Sequence, residues 1–340
     1  MERAALLKTL KRVAPALSNK TFLPILAYFC SDGKSVTAYD DVVALKTPCE
    51  LGFSGAVPGE RLLALLESSR SSAVECLVEK EEILFKLGRT KARFPLLPPT
   101  SFLFKEPSRK GVSLDLDAEV QNGISLAGRS AGQGSAFPSR LGITLAFSKR
   151  RLTIYASDNT TLVRVIVPHR VPDLAGKNLI LLPRFYDLLL KLGESTALIL
   201  TELGDIIGVA DGMELFGKAL SGADPDQFGS VFEKLKLDEV IKAKVPATLS
   251  HCLERAVITS KESTEFSYAD GRLSLFTKDA SCEMRDSVKV DLGEEPVKVK
   301  TGAGFLLRYI DLAESIGITP QCIILEGAGF QALISVASDS

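Results

Sequence analysis

The chain has no tryptophan and only two histidines, His169 and His251, in 340 residues. Imidazole chemistry is thereby confined to two positions, and neither belongs to an HExxH helix or to a paired cysteine–histidine metal spacing. The six cysteines (Cys30, Cys49, Cys76, Cys252, Cys282 and Cys322) include no CxxC pair, which points to buried, reduced thiols in a cytoplasmic protein. Long apolar runs are missing too: none approaches the roughly 20 residues needed to cross a bilayer, so no membrane partner is expected. The opening MERAALLKTLKRVAPAL lacks the continuous apolar core and small-residue cleavage site of a secretory signal, and Glu2 argues against a mitochondrial presequence. No glycine-rich phosphate loop is present, because GRTK at Gly88 lacks the first glycine and its spacing. Nor does one sign of charge dominate, with 41 basic and 42 acidic residues. A nucleic-acid binder normally advertises a basic face, so any such role must come from where the charges lie.

What the chain does have is repetition. The segments SDGKSVTAYDD, SKRRLTIYASDN and ADGRLSLFTKDA each combine a turn, an alternating strand, an aromatic (Tyr39, Tyr155, Phe276) and an aspartate (Asp40, Asp158, Asp279). A candidate helix precedes each, over 2–14, 118–129 and 247–257, and another follows, from Val57, Leu182 and Thr301. Alternating runs then recur as ECLVEKEEILFKL, TALILTELGDIIGVA and QCIILEGAGFQALISVA. Three copies of one domain of about 110–120 residues is the simplest account. The proline-bearing stretches LLPPTSFLFKEPSRKG and SGADPDQFGS read as linkers, giving domains 1–107, 108–230 and 231–340.

Within a copy, Leu6, Leu7, Leu10, Val13 and Leu17 make one apolar stripe on the first helix, while Lys8, Lys11 and Arg12 share another face. Leu62, Leu63, Leu65 and Leu66 supply burial for the second helix. Strands that alternate with a polar face imply antiparallel sheets covered on one side, and two helices per copy imply α+β architecture.

The stretch NKTFLPILAYFCSDGKSVTAYD resembles the opening of the bacterial DNA polymerase III beta subunit, the sliding clamp, through Lys20, a Leu23-Pro24-Ile25-Leu26 strand, and Asp40. LGITLAFSKRRLTIYASDNTTLVRV is similar to that family's second-domain strand pair, with Asp158 and Leu162 in register, and SGADPDQFGSVF to its linker into the third domain. LERAVITS resembles the end of the third domain's first helix, so the resemblance runs along nearly the whole chain in order. It implies a divergent or viral relative: three tandem clamp-like domains, each two helices on antiparallel sheets, closing as a homodimer into a ring around duplex DNA. It implies a DNA polymerase and a clamp-loader ATPase as further partners, no cofactor, and no catalysis.

The resemblance also implies three sites. Helix cations facing DNA would be Lys8, Lys11 and Arg12, with Lys20, Arg129, Arg140, Arg184, Lys191, Arg255 and Arg308, attracting phosphate without reading sequence. A pocket for linear motifs would be lined by Leu162, Pro225, Val231 and Leu333. Its family pattern is broken by Thr160-Thr161 in place of His-Arg, by Gly229 and Ser230 near a usual arginine, and by Ser335 in place of methionine. The subunit interface would set Phe94 and Leu96 opposite Ile258, with Pro95 suiting an edge strand. Two rivals of other classes are a repeat-built viral structural or adaptor protein and a hydrolase. The three aspartates, one per copy, read as turn caps and not as a metal site.

Overall fold

The computed structural model describes residues 1–18, 22–132, 140–168, 172–193, 196–222, 224–260 and 262–337. One element order runs through it three times: helix, four strands, helix, three strands. The first pass is α1 (Arg3–Val13), β1 (Tyr28–Asp32), β2 (Ser35–Tyr39), β3 (Ala44–Pro48), β4 (Ser54–Pro58), α2 (Gly59–Ser68), β5 (Glu75–Glu79), β6 (Glu82–Leu87) and β7 (Thr90–Pro95). The second begins with a strand, β8 (Gly111–Leu116). It continues through α3 (Ala118–Gly128), β9 (Ile143–Phe147), β10 (Arg151–Ser157), β11 (Thr161–Pro168), β12 (Asn178–Leu181), α4 (Pro183–Leu189), β13 (Thr196–Thr201), β14 (Asp205–Ala210) and β15 (Met213–Lys218). The third opens with α5 (Pro225–Lys234) and β16 (Lys242–Lys244). It continues through α6 (Leu249–Thr259), β17 (Thr264–Ala269), β18 (Arg272–Lys278), β19 (Glu283–Lys289), β20 (Val297–Thr301), α7 (Ala303–Leu307), β21 (Ser315–Ile318), β22 (Cys322–Gly327) and β23 (Phe330–Ser335).

Two segments differ from the sequence expectation. The Leu-Pro-Ile-Leu strand is instead a 3-10 turn over Pro24–Ala27, because proline cannot donate to a ladder and fixes a turn-compatible φ. The second linker is largely helix α5. Asp224 caps it by accepting from the Asp226 amide at 3.1 Å, and Pro225 occupies the first turn, so a helix start had the composition of a breaker.

Each helix follows its apolar stripe. In α1, Leu6, Leu10 and Val13 are buried and Leu7 half-buried; in α2, Leu62 and Leu66 are buried while Leu63 and Leu65 are only half so. Leu17 lies beyond the end of α1, after a short turn containing Pro15.

All sheets are antiparallel, and the two large ones join one copy to the next. The first has the order β4-β1-β2-β3-β15-β14-β13-β8, so the four-stranded block of the first pass meets the three-stranded block of the second at β3·β15. The second, β12-β9-β10-β11-β23-β22-β21-β16, repeats this at β11·β23. Left over are the block β19-β18-β17-β20 and the block β5-β6-β7, in which β19 and β7 are edge strands. Compactness follows the sheets: one unit is Met1–Ala118 with Arg184–Ala219, the other Glu119–Pro183 with Leu220–Ser340. The middle pass is divided between them.

The β3·β15 junction has an apolar and a charged layer. Phe104 stands between Tyr39 and Phe216, with ring centroids 5.5 and 5.2 Å away, above Ala44 and Ile207. Beside it, Glu106 accepts from Lys46 at 2.6 Å and from Arg109 at 2.7 Å, and Arg109 also holds Glu214. Arg109 first, then Lys46, keeps the Glu106 carboxyl below its ordinary value of 4.5. A lowered pKa contributes stability above the unfolded value that disappears as pH falls through the folded one.

Two predictions follow from this packing. Leu10, fully buried, costs about 2–5 kcal/mol when changed to Ala, read as a lower urea midpoint. Glu106→Gln costs less than about 1 kcal/mol at neutral pH because the cluster is partly solvated, and the variant loses less stability than the parent as pH falls below the carboxyl's ordinary value of 4.5.

Candidate nucleic-acid interface and peptide pocket

In the first unit, α1 turns its buried stripe inward and leaves Lys8 and Lys11 exposed, with Arg12 half-buried. A hollow of about 460 Å³ runs along this face, lined by Arg3, Ala4, Leu7, Lys8, Lys11 and Arg12. Arg3 is spent on structure, donating to the carbonyls of Leu66 at 2.7 Å and Ser71 at 2.8 Å. Lys11 pairs with Glu67 at 2.7 Å, with both side chains about half exposed (55% and 50%). Such a pair in water is worth little and yields readily to a competing phosphate. Arg12 donates weakly to the Asp211 carbonyl at 3.3 Å, and Lys8 has no ion-pair partner among the described residues. Arg184, on α4, donates to Asp40 Oδ2 at 2.8 Å and to the Pro15 carbonyl. Lys191 is exposed just past α4.

In the second unit, Arg308 follows α7, ion-pairs with Asp158 Oδ2 and lies over the Phe305 ring. Arg129 donates to the Arg308 carbonyl, and Arg140 to the Asn159 side chain. Arg255, on α6, donates through Nε to Asp286 at 2.9 Å, which holds that carboxyl below the usual range. His251 is exposed, with its ring 3.2 Å from Glu254. Lys20 and His169 lie outside the described residues. Arg184, Arg255 and Arg308 are thus offset by carboxylates, whereas Lys8, Lys191 and Arg129 have no ion pair among the described residues.

The three aspartates do cap turns. Asp40 Oδ1 accepts from the amides of Val42 and Val43, Asp158 Oδ1 from Thr160 and Thr161, and Asp279 Oδ1 from Ser281 and Cys282. Alternation ends at such a turn, so a short side chain that satisfies two amides at once is favoured there.

Of the residues expected at the peptide pocket, Leu162 and Leu333 meet on one face of the β11·β23 junction. Leu162 and Leu333 are direct cross-strand partners, and Ile324 lies opposite Leu333 on β22. Over them lies α5. Its Phe228 and Phe232, four residues apart and so on one face, are buried with Tyr155, Leu237, Cys322, Ile324 and Leu333. Phe228 stacks on Tyr155 with centroids 5.5 Å apart, and the Arg164 guanidinium sits 4.2 Å above the Phe232 ring. Pro225 begins the helix and is half-buried, but Val231 is 38% exposed and outside the buried cluster; Ser335 is exposed. Beside this cluster an open hollow of about 270 Å³ remains, lined by Arg164, Ile166, Glu326, Gly327, Gly329, Phe330 and Gln331. Phe228, Phe232 and Arg164 were missed in the sequence. The i, i+4 aromatic pair behind an Asp-Pro start was the signal available.

For the subunit interface, Phe94 is buried against Phe85 in its own hairpin (centroids 5.7 Å), Leu96 is half-buried, and Ile258 is bare at 85% exposure. No cluster of three or more His, Cys, Asp or Glu residues able to hold a metal occurs among the described residues.

No protein-family model matches the chain, and no curated protein matches it by sequence. The architecture matches a class of solved structures: it is the fold of bacterial beta sliding clamps. The DNA polymerase III subunit beta of Pseudomonas aeruginosa superimposes with a TM-score of 0.86 at 17% identity, over 99% of both chains. That of Caulobacter crescentus gives 0.85 at 18%, again over 99% of both. The Helicobacter pylori beta clamp, solved with a DNA ligase peptide bound, gives 0.82 at 14%, with 99% of each chain covered.

The cluster under α5 supports one more expectation. Replacing both Phe228 and Phe232 by Ala destabilises the second unit by about 3–5 kcal/mol for each ring if the sheet cannot close over the space. Denaturant unfolding followed by amide exchange in β11 and β23 measures it.

Proposed function

We propose that this chain is a DNA sliding clamp: two copies close into a ring around duplex DNA and tether a replicative polymerase, delivered by a clamp-loader ATPase. The observation that carries this reading is the likeness of fold to bacterial beta clamps over 99% of this chain and 98–99% of theirs at a TM-score of 0.82–0.87. The tripled element order supports three clamp-like domains, 1–107, 108–230 and 231–340, as the copied units. Sequence identity of 14–18% carries the fold and leaves the function to be argued from chemistry.

A ring holds DNA by topology, so its wall must attract phosphate weakly and ignore sequence. Lys8, Lys11 and Arg12, on one helix face, suit that task, and Lys191 and Arg129, without an ion pair among the described residues, add charge. Lys20 and Arg140 remain in the proposed set. Arg184, Arg255 and Arg308 join it with less available charge, because each already has a carboxylate. A near-zero net charge is compatible with a cationic inner face and an acidic exterior.

The motif pocket lies on the face bearing Leu162 and Leu333, with Pro225 and Val231 at its α5 side. Polymerase motifs would use apolar anchors there, beside the hollow next to Arg164 and Gln331. The protein is a cytoplasmic scaffold with no reaction of its own. No helix among the described residues is long and apolar enough to cross a membrane.

Loading on nicked circular DNA tests the reading. The protein should stay with the circle through gel filtration and leave when a nuclease linearises it. Equal retention on linear and circular DNA would point to an adaptor instead. Changing Lys8, Lys11 and Arg12 together to Ala should weaken association and lower the slope of log affinity against log salt by roughly two to three.

A further inference from the structure

The outward face of each four-stranded block follows one plan. Six residues after each turn-capping aspartate stands a cation: Lys46, Arg164 and Arg285. An aromatic shares its face of the sheet. Tyr155 and Phe276 lie directly opposite Arg164 and Arg285, and Tyr39 stands two residues along from Thr37, the partner of Lys46. In the first two copies a segment further along the chain covers these groups. Phe104 packs on Tyr39 while Glu106 accepts from Lys46 at 2.6 Å. Phe228 of α5 stacks on Tyr155 while Phe232 lies under Arg164. Each cover thus brings a ring to the aromatic and a carboxylate or a ring face to the cation.

The third copy has the aromatic and the cation without the cover. Phe276 is half-buried, no second ring packs on it among the described residues, and the Arg285 guanidinium lies over it at 4.9 Å. An open hollow of about 750 Å³ adjoins the ring, lined by Ser267, Ser274 and Ser287, which stand side by side across β17, β18 and β19. Such short side chains leave room for an extended segment to approach Phe276. Charge separates this face from the other two. Its outward rows carry Arg272, Lys278, Arg285, Lys289, Lys298 and Lys300 against Glu265 and Glu283, an excess of four. The corresponding rows hold one cation, Lys46, in the first copy and two, Arg151 and Arg164, in the second. Both carboxylates are shared: Glu265 by Lys298 at 3.1 Å and Lys300 at 3.8 Å, Glu283 by Arg285 at 3.2 Å and Lys278 at 3.9 Å. The Arg285 side chain is 77% exposed, and a pair so placed exchanges readily for another partner.

We propose that this face is a docking site for an acidic segment of a partner protein that carries one aromatic side chain, seated as Phe104 and Glu106 are seated on the first copy. The partner's ring packs on Phe276 beside Arg285, and its carboxylates meet Arg285, Lys298 and Lys300. Four surplus charges call for several carboxylates where the internal cover of the first copy brings one, and the exposed phenyl edge calls for a ring among them. A nucleic-acid strand also offers rings and anions, but both occupied faces of this plan hold peptide. The site is on a different sheet from the β11·β23 pocket and differs in kind, with charge supplying the attraction in place of apolar anchors. The inference goes beyond the clamp reading and does not depend on ring closure: it gives the protein a second, salt-sensitive point of attachment.

Fluorescence anisotropy on the full chain tests this, with a labelled peptide of about ten residues, all Asp or Glu except one Phe placed two residues before a Glu. The peptide should bind at 50 mM NaCl and lose about tenfold or more in affinity by 500 mM. Phe276→Ala and Arg285→Glu should each weaken binding about tenfold, as should replacing the peptide's Phe by Ser. Arg285 is exposed, so its variant remains informative should loss of the Phe276 ring disturb the fold. No binding up to about 100 µM protein at the lower salt, or binding indifferent to both variants, overturns the site. A dT oligonucleotide of equal charge that binds more tightly, and loses as much in Phe276→Ala, assigns the face to single-stranded nucleic acid and overturns the peptide. Retention on nicked circular DNA is a separate measurement, so failure here leaves the clamp reading intact.

Discussion

Edge-to-edge pairing of antiparallel strands is the constraint on which the architecture depends. An unpaired strand edge exposes a row of amides and carbonyls that seeks a partner, and a four-stranded block beside a three-stranded one leaves such an edge on each. Joining β3 to β15 and β11 to β23 satisfies those groups and buries Phe216 and Leu333 in the same step. Compact units then follow sheets, which is why the middle pass is shared between two of them.

The second organising element is the use of carboxylates to fix arginines. Each internal junction spends one aspartate twice, on a turn and on a guanidinium, and Arg255 is fixed by Asp286 in the same spirit. These pairs are half-exposed and individually weak, so their value lies in orientation more than in stability. Carboxylates offset Arg184, Arg255 and Arg308, whereas Lys8, Lys191 and Arg129 have no ion pair among the described residues.

The face bearing Leu162 and Leu333 carries its own aromatic cover. Phe228 and Phe232 occupy the sheet surface that Tyr155, Ile324 and Leu333 provide, and Arg164 closes over Phe232. Helix α5 thus covers part of this sheet face, with the Arg164–Gln331 hollow beside it. The departures at Gly229 and Ser230 fall within α5, and that at Ser335 at the end of β23.

The sequence alone determined what depends on short spacing. Tripled hairpins, aspartate turn caps, the α1 stripe of Leu6, Leu10 and Val13, and the antiparallel α+β class were all legible, because period and turn chemistry are local. Local reading failed where one residue serves two purposes: Pro225 begins a helix as readily as it breaks one, and Pro24 turns a strand into a 3-10 turn. Pairings between distant residues were decided only by tertiary structure. That Arg184 belongs to Asp40, Arg308 to Asp158 and Phe232 to Arg164 follows from which edges the sheets bring together, across separations of 68 to 150 residues for which no local pattern exists.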